Sequence, residues 1–355
     1  MNKLVDKIHG CLLGGMIGDA FGAPGEGLTY REIQKEYGTD GLTTFEGMGT
    51  DDTAIRNQLI GTILKCEGYP NVDAFAQSFI NSRDTNYSLW YTPVRNSYHK
   101  FSEGLSLPAY AGWGNMQSSS TAMAISPLGI INAGNPRQAV LETQEIASLI
   151  HNGPTGFCKD AACSIAAAVA ACFSPSANID SIIASATEFL LPISSRELID
   201  LIEKALNMAS KLGNYESFRE AYYEECLREV LADSRETIPA TLAILHLSKG
   251  DPSKAIPWAA NFGRDADTIG TMVGGIVGAM CGISGLPQEW VDKATQVHSA
   301  EADYSGDKYP SRKADTDLPT FDYAEISEQF ESIIKDRQAE LSNISNNLRK
   351  LNGDL

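Results

Sequence analysis

The sequence predicts an all-α protein, and two observations carry this prediction. Apolar residues recur three and four positions apart along most of the chain, which is the spacing of one helix face. No convincing run of alternating strand residues and no regular repeat of solenoid length interrupts that pattern. With 355 residues, 43% of them hydrophobic and 21% charged, the chain can bury a sizeable core as one large domain or two ordinary ones.

Two of the predicted helices carry a stripe of glycines. The first spans 4–22 and has glycine at positions 10, 14, 18 and 22; the second follows residue 265 and has glycine at 270, 274, 278 and 282. A glycine inside a helix costs about 1 kcal/mol relative to alanine, so such a stripe indicates that another backbone packs closely against it. We predict that the two helices cross at the centre of the fold and bring the motifs at their ends together.

The other elements follow in chain order. A Gly/Pro turn region at 22–27 precedes a short polar stretch and a helix that opens at Thr50. The aromatic, turn-rich stretch 86–120 is too long for a plain connector, so we interpret it as either a binding loop or an ordered cap. Further helices are predicted over 73–82, 121–131, 136–150, 157–173, 178–189, 195–211, 215–231 and 237–247.

The C-terminal region differs from the rest. Residues 301–318 are polar and turn-like, and 326–351 predict a long helix that partly fits a heptad pattern. We therefore expect a domain over 1–300, followed by a connector and a helical extension over 301–355. The extension either docks on its own domain or makes a homodimer contact.

Charge and cysteine content narrow the class of partner. The net charge of −17 argues against nucleic acid or an anionic membrane surface, although a bound metal ion can reverse the sign locally. The seven cysteines contain no Cys-x-x-Cys pair and are typical of reduced thiols in a cytoplasmic protein. We expect no signal peptide, because Asp6 and Lys7 precede the apolar part of the first helix. The glycine-rich segment 269–286 predicts a buried core helix and not a membrane span.

Two acidic motifs, each at a predicted helix start, are the candidate functional residues. Residues 50–53 read Thr-Asp-Asp-Thr, and residues 265–268 read Asp-Ala-Asp-Thr. Helix capping explains either motif alone, since carboxylates and hydroxyls accept from free N–H groups. Each motif, however, has one acid more than a cap needs. If the glycine helices bring the motifs together, four carboxylates share one pocket and are hard to ionise without cations.

The donor set predicts the kind of metal. Only oxygen ligands are offered, which selects Mg²⁺, Mn²⁺ or Ca²⁺, and the size of the set suggests two ions. Zinc is not favoured, because the chain has no His-x-x-x-His and no cysteine pair. Glu26 follows the first glycine helix and either overhangs the same pocket or is a solvated loop acid. His151 ends a predicted helix and is either a dipole partner or a ligand contact.

With these residues in view, the chain resembles the ADP-ribosylglycohydrolase family. The resemblance rests on four blocks, which are residues 10–22 with Glu26, residues 50–53, residues 122–129 and residues 261–270 with its glycine helix. It implies a single compact orthogonal helical bundle with two Mg²⁺ (or Mn²⁺) ions. The implied activity is hydrolysis of the N- or O-glycosidic bond of an ADP-ribosyl or related ribosyl compound, either a small molecule or protein-linked.

The resemblance also assigns roles to individual residues. The metal ligands that it implies are Thr50, Asp51, Asp52, Asp265, Asp267 and Thr268. The catalytic residues that it implies are Glu26, Asp52 and Asp267. The substrate contacts that we predict are Gly114, Asn115, Ser118, Ser119, His151 and Arg264.

The chain departs from the family pattern on the substrate side. Residues 118–124 lack the asparagine, glycine and arginine that family members often have, and Ile150 precedes His151 where threonine is usual. Arg264 replaces a small residue and either contacts a phosphate or carboxylate of the substrate or pairs with an acid. These differences leave protein-linked ADP-ribose and a smaller ribosyl metabolite both open as substrates. A non-catalytic binding or crystallin-like structural protein and a metal phosphohydrolase are the alternative functions.

Overall fold

The structure is a computed structural model that describes residues 2–47, 49–299 and 322–352. Over these ranges the chain forms helices joined by turns, and the secondary structure includes isolated bridges but no strand, which confirms the all-α prediction. The helices are α1 (Lys3–Gly22), α2 (Tyr30–Tyr37), α3 (Asp51–Lys65), α4 (Val72–Asn81), α5 (Arg83–Asn86), α6 (Thr92–Ser102), α7 (Pro108–Ala111), α8 (Ser126–Ile131), α9 (Pro136–Ala147), α10 (Gly156–Ala171), α11 (Ile179–Glu188), α12 (Arg196–Leu212), α13 (Tyr215–Glu225), α14 (Ser234–Ser248), α15 (Pro252–Ala260), α16 (Ala266–Cys281), α17 (Gln288–Ser299) and α18 (Tyr323–Asn352).

The glycine stripes of α1 and α16 pack directly against each other at the centre of the fold. A Cβ on Gly10 would lie 2.4 Å from the carbonyl oxygen of Gly278, and a Cβ on Gly18 would lie 2.0 Å from that of Gly270. These distances leave no room for a methyl group. The contacts run in opposite directions along the two helices, so the pair is antiparallel. The predicted crossing is confirmed, and it places the C-terminal end of α1 beside the N-terminal end of α16.

Local start signals explain many helix boundaries. The side chains of Asn71, Asn178 and Asn214 each accept a backbone N–H from the first turn of the helix that follows, and these helices are α4, α11 and α13. Thr50 caps α3 in the same way by accepting from the backbone of Asp52. Each asparagine satisfies an N–H group that the helix itself leaves without a partner.

Several short helices lie outside the sequence-based prediction. α2 forms in the short polar stretch before Thr50, where we predicted no helix; Thr29 and Glu32 make a reciprocal capping box there, and Ile33 is buried. α8 begins at Ser126, five residues later than predicted, with Pro127 in its first turn. α15 and α17 were also missed.

The aromatic stretch 86–120 is partly helical and forms an ordered cluster. The Trp90 ring is 1% exposed and packs with centroid distances of 5.1 Å to Phe79 and 5.3 Å to Tyr98. The pair with Phe79 is edge-to-face, a geometry that aromatic rings favour. Of the two interpretations, the ordered cap describes this cluster, whereas Tyr110 and Trp113 farther along are exposed.

The C-terminal helix α18 docks with its first half only. Ile326, Phe330 and Ile334 are buried where α18 packs on α1 and α8. From residue 338 onward every described side chain is exposed, including Leu341 and Leu348. The predicted connector 301–318 lies outside the described residues, so the division at residue 300 stays a prediction. Among the helices that the structure describes, none is long and apolar enough to cross a membrane.

Candidate metal centre

Three aspartates meet where α1, α3 and α16 come together. One carboxylate oxygen from each of Asp19, Asp52 and Asp267 lies within 4.8 Å of the other two. The three residues are between 0 and 3% exposed. Asp19 lies in the last turn of α1, Asp52 in the first turn of α3 and Asp267 in the first turn of α16. The antiparallel glycine packing therefore brings Asp19 and Asp267 together.

Asp19 fixes the α3 end of this cluster. Its carboxylate accepts from the backbone N–H of Thr50 at 2.9 Å and of Thr53 at 3.0 Å. It also accepts from the hydroxyls of Thr50 at 2.9 Å and Thr53 at 2.5 Å. These four donors come from the start of α3, where the helix dipole also favours negative charge. Asp19 therefore holds α3 against α1.

Two threonine hydroxyls lie between the acids. The Thr50 hydroxyl is 3.3 Å from an oxygen of Asp52 and 3.3 Å from an oxygen of Asp267. The Thr268 hydroxyl is 3.5 Å from Asp52 and 3.9 Å from the sulfur of Met123. The structure thus brings together Thr50, Asp52, Asp267 and Thr268, which are four of the six predicted ligands.

Three carboxylate oxygens of this site have no hydrogen-bond partner although they are buried. They are Oδ1 of Asp52, Oδ1 of Asp267 and Oδ2 of Asp265. Asp265 also makes no side-chain capping bond to α16, so capping does not account for it. Because a buried anionic oxygen without a partner is costly, this donor set fits a hard, oxygen-bound cation.

The acids also raise one another's pKa. Burial and the charges of Asp267 and Asp19 raise the pKa of Asp52 well above its usual range. Burial and the charges of Glu26 and Asp265 do the same for Asp267. This is the result expected when several carboxylates share a site without a compensating cation.

Asp51, Asp265 and Glu26 belong to the same electrostatic cluster. Burial, followed by the charges of Asp19 and Glu26, raises the pKa of Asp51 to about 7. Burial, followed by the charges of Glu26 and Asp51, raises the pKa of Asp265. Glu26 is half-buried and follows the 3₁₀ turn Ala23–Gly25 at the end of α1. The six carboxyl groups thus form one electrostatic unit.

Most of the predicted substrate contacts are buried and bonded within the protein. The amide of Asn115 donates to the carbonyls of Pro93 and Ile150, and the Ser119 hydroxyl bonds to the Ala232 carbonyl. Gly114 lies in a turn with a φ of 77°. The role of these residues as substrate contacts stays a prediction.

His151 is fully buried, with Nε2 3.0 Å from the Ser118 hydroxyl and Nδ1 2.9 Å from the Thr121 hydroxyl. Burial lowers the pKa of His151 to about 3, so the ring is neutral at pH 7. A neutral ring does not act as the charged partner of a helix dipole.

Arg264 pairs with an acid, which was one of the two alternatives for it. Its guanidinium contacts the buried carboxylate of Glu236 at 2.8 Å. Glu236 lies in the first turn of α14 and was not among the candidate residues. The pairing gives the Arg264 guanidinium a buried carboxylate partner within the protein.

The sequence analysis missed two residues of the site. Asp19 is a charged residue within the glycine stripe of α1, beside Gly18, and that position was the available signal. Gly49 has a φ of 95°, and a Cβ on it would lie 2.3 Å from the Asp19 carboxylate. No local sequence pattern predicts that approach, because it depends on how α1 meets the loop before α3.

Fold and site together define a helical protein built around a buried carboxylate cluster that can hold a metal ion. A model of the ADP-ribosylglycohydrolase family matches residues 1–313, and the chain belongs to that family. It is accordingly a glycosidic-bond hydrolase.

Known proteins resemble the chain over most of its length. The uncharacterized protein YegU of Escherichia coli (strain K12) is 23% identical over 312 residues, covering 79% of this chain and 89% of YegU. The ADP-ribosylhydrolase ARH3 of Bos taurus is 26% identical over 332 residues, covering 81% of this chain and 88% of ARH3. A solved structure titled ADP-ribosylglycohydrolase-related protein complex has a TM-score of 0.63 at 19% identity, covering 94% of this chain and 100% of that one, and it supports the fold.

Proposed function

We propose that this protein hydrolyses the N- or O-glycosidic bond at the anomeric carbon of an ADP-ribosyl or related ribosyl compound, with two Mg²⁺ or Mn²⁺ ions. The observation that carries the proposal is the set of three buried, partnerless carboxylate oxygens at the meeting point of α3 and α16. Such oxygens are an energetic cost without cations and become ligands with them.

The proposed ligands are Thr50, Asp51, Asp52, Asp265, Asp267 and Thr268, to which we add Asp19. When bound, the ions would supply Lewis-acid polarisation of the ribose oxygens and a water of lowered pKa. Asp19 keeps α3 in register with α1 through its bonds to Thr50 and Thr53. The glycine helices give the acids a rigid base, as a preorganised site requires.

Glu26 and two of the aspartates are the proposed catalytic residues. Glu26 lies close enough to Asp265 and Asp267 to raise the pKa of both, yet it is half-buried and so accessible from outside. We assign it the transfer of a proton at the scissile bond, and we assign Asp52 and Asp267 the orientation of the attacking water. A carboxylate on the rim of the site is suited to exchange protons with solvent.

The experiment is a product screen with purified protein in Mg²⁺ or Mn²⁺. The substrates are ADP-ribosyl-arginine, O-acetyl-ADP-ribose, ADP-ribosyl-guanidine, NAD and simple nucleosides, and the products measured are free ribose and ADP-ribose. Release of ribose or ADP-ribose without release of inorganic phosphate supports the proposal. Phosphate release from ADP-ribose would instead show a phosphohydrolase.

A matched pair of variants tests the role of the acids. Asp267→Ala removes a proposed ligand, and we expect it to abolish both turnover and Mn²⁺ binding in calorimetry. Asp73→Ala changes an exposed first-turn aspartate of α4 and should leave both unchanged. Absence of Mn²⁺ binding by the wild type, or binding unaffected by Asp267→Ala, would contradict the metal-dependent mechanism.

Two further proposals concern assembly and location. We propose a homodimer through the outer half of α18, because it exposes a stripe of apolar residues at heptad spacing. These residues are Leu341, Ile344, Leu348 and Leu351.

A cytoplasmic location is proposed from the seven cysteines, none of which is in a disulfide.

A further inference from the structure

Arg264 holds an uncommon backbone conformation directly before Asp265. Its φ is 64°, in the left-handed region that side-chain-bearing residues rarely adopt, and Gly263 before it has a φ of 77°. Two successive left-handed residues make a sharp turn that sets the direction in which α16 begins. A non-glycine residue persists in such a conformation only where its surroundings hold it there.

The side chain of Arg264 supplies that restraint. Its Nε donates to Oε1 of Glu236 at 2.8 Å, and its Nη2 donates to Oε2 at 3.0 Å. The same Nη2 donates to the backbone carbonyl of Arg228 at 2.6 Å. Glu236 is fully buried and also accepts from the Arg228 backbone N–H at 2.6 Å. This is a two-pronged, charge-assisted pair with planar geometry, which lysine does not reproduce.

The backbone of Arg264 joins the loop that carries Glu26 to the loop that carries Asp265. Its N–H donates to the carbonyl of Leu28 at 2.6 Å, and its carbonyl accepts from the N–H of Gly27 at 2.8 Å. Gly27 directly follows Glu26, and Arg264 directly precedes Asp265. The two bonds therefore fix Glu26 and Asp265 relative to each other through one residue.

The preceding residues are held from the opposite side. The Tyr223 hydroxyl donates to the carbonyl of Phe262 at 2.6 Å, and Arg219 donates to the carbonyl of Asn261 at 2.9 Å. Both donors belong to α13. The turn is thus anchored up to Phe262 by α13, and the Glu236 pair is the anchor at Arg264 itself.

We propose that Arg264 and Glu236 form a positioning pair that fixes Asp265 and Glu26 in the metal site, and that Arg264 is not a substrate contact. The inference rests on the proposed function, in which Asp265 is a ligand and Glu26 moves a proton. It makes a prediction opposite to that of a substrate contact. Loss of the pair weakens metal binding, whereas loss of a substrate contact changes only the preference among substrates.

Calorimetric titration of the full chain with MnCl₂ tests the pair. We expect Arg264→Ala, which loses the ion pair but leaves a residue other than glycine at this φ, to weaken Mn²⁺ binding about tenfold, or about 1.4 kcal/mol. Glu236→Gln should weaken it in the same direction, and Arg264→Lys should not restore it. Arg264→Gly combined with Glu236→Gln should return the Mn²⁺ affinity to within about threefold of the wild type, because glycine adopts this φ without an ion pair to hold it.

Arg235→Ala is the matched control. Arg235 also pairs with a buried acid at the start of α14, through Asp233 at 2.7 Å, and reaches Glu197 at 3.1 Å. Its loss should cost the fold a comparable ion pair and leave Mn²⁺ affinity unchanged. Equal Mn²⁺ affinity in Arg264→Ala and the wild type, or an equal loss in Arg235→Ala, would overturn the positioning role.

Hydrogen–deuterium exchange of the metal-free protein separates this inference from the proposed function. Peptides covering 25–29 and 262–266 should exchange about tenfold faster in Arg264→Ala than in Arg235→Ala, since the two bonds between the loops loosen. Unchanged exchange would refute the pairing of the loops. If the wild type binds no Mn²⁺ but exchange still rises in Arg264→Ala, the hydrogen bonds between the two loops are confirmed. Their role in a metal site is then refuted along with the proposed function.

Discussion

Replacing Asp52 by asparagine should stabilise the metal-free protein while removing its metal binding. Asp52 is 2% exposed, its Oδ1 has no hydrogen-bond partner, and the charges of Asp267 and Asp19 repel it. Asparagine keeps the shape, removes the charge and adds an N–H₂ group that donates to the neighbouring carboxylates. The same change deletes an anionic ligand from the cluster.

The size of the effect follows from the cost of an unsatisfied buried acceptor. That cost is about 1–3 kcal/mol, and about 2 °C of Tm accompanies each kcal/mol in a large domain. We therefore expect Asp52→Asn to raise the Tm in EDTA at pH 8.5 by about 2–6 °C. Mn²⁺ should raise the Tm of the wild type by ligand linkage and leave that of Asp52→Asn unchanged.

The pH dependence has a definite sign. The pKa of Asp51 is raised to about 7 and that of Asp52 is raised in the same direction, whereas an unfolded aspartate titrates near pH 3.9. The folded metal-free protein thus binds protons more tightly, and its stability falls as the pH rises from about 4 through 7. The gain from Asp52→Asn should accordingly shrink at pH 5.

Differential scanning calorimetry in EDTA, at pH 5 and pH 8.5, measures these differences. Asp73→Asn serves as the control, since Asp73 is an exposed aspartate in the first turn of α4. It should change neither the Tm in EDTA nor the response to Mn²⁺. A lower Tm for Asp52→Asn in EDTA at pH 8.5 would refute the reasoning, because the carboxylate would then be a stabilising partner.

Two predictions concern the helix contacts. Gly14→Ala should lower the Tm in circular dichroism melts by at least about 5 °C or prevent folding, because its Cβ would lie 2.5 Å from the carbonyl oxygen of Gly274. Gly156→Ala is the control: no atom lies within 4 Å of the new Cβ, so its Tm should not change. Leu348→Glu should convert the proposed dimer to a monomer, as measured by light scattering. Asn346→Glu, on the opposite face of α18, should leave the dimer intact. A wild-type protein that is monomeric would contradict the proposed dimer.

The sequence by itself determined most of the longer helices and the chemical nature of the site. Helical spacing and the glycine stripes are local or periodic signals, so they predicted α1, α3 and α16 and the crossing of the two glycine helices. The two acidic motifs predicted that carboxylates would gather at that crossing. These features could be read from the sequence because each one depends on residues that are neighbours along the chain or repeat at a fixed interval.

Only the tertiary structure decided which side chains face one another. Asp19 joins the carboxylate cluster because the packing of α1 on α16 carries it to the start of α3, over a separation of 31 residues from Thr50. Arg264 binds Glu236 across 28 residues, so its guanidinium is paired within the protein. Such contacts depend on how whole helices pack, and no local sequence pattern specifies them. Five of the six acids of the cluster followed from the sequence, whereas Asp19 and the partners of all six followed from the fold.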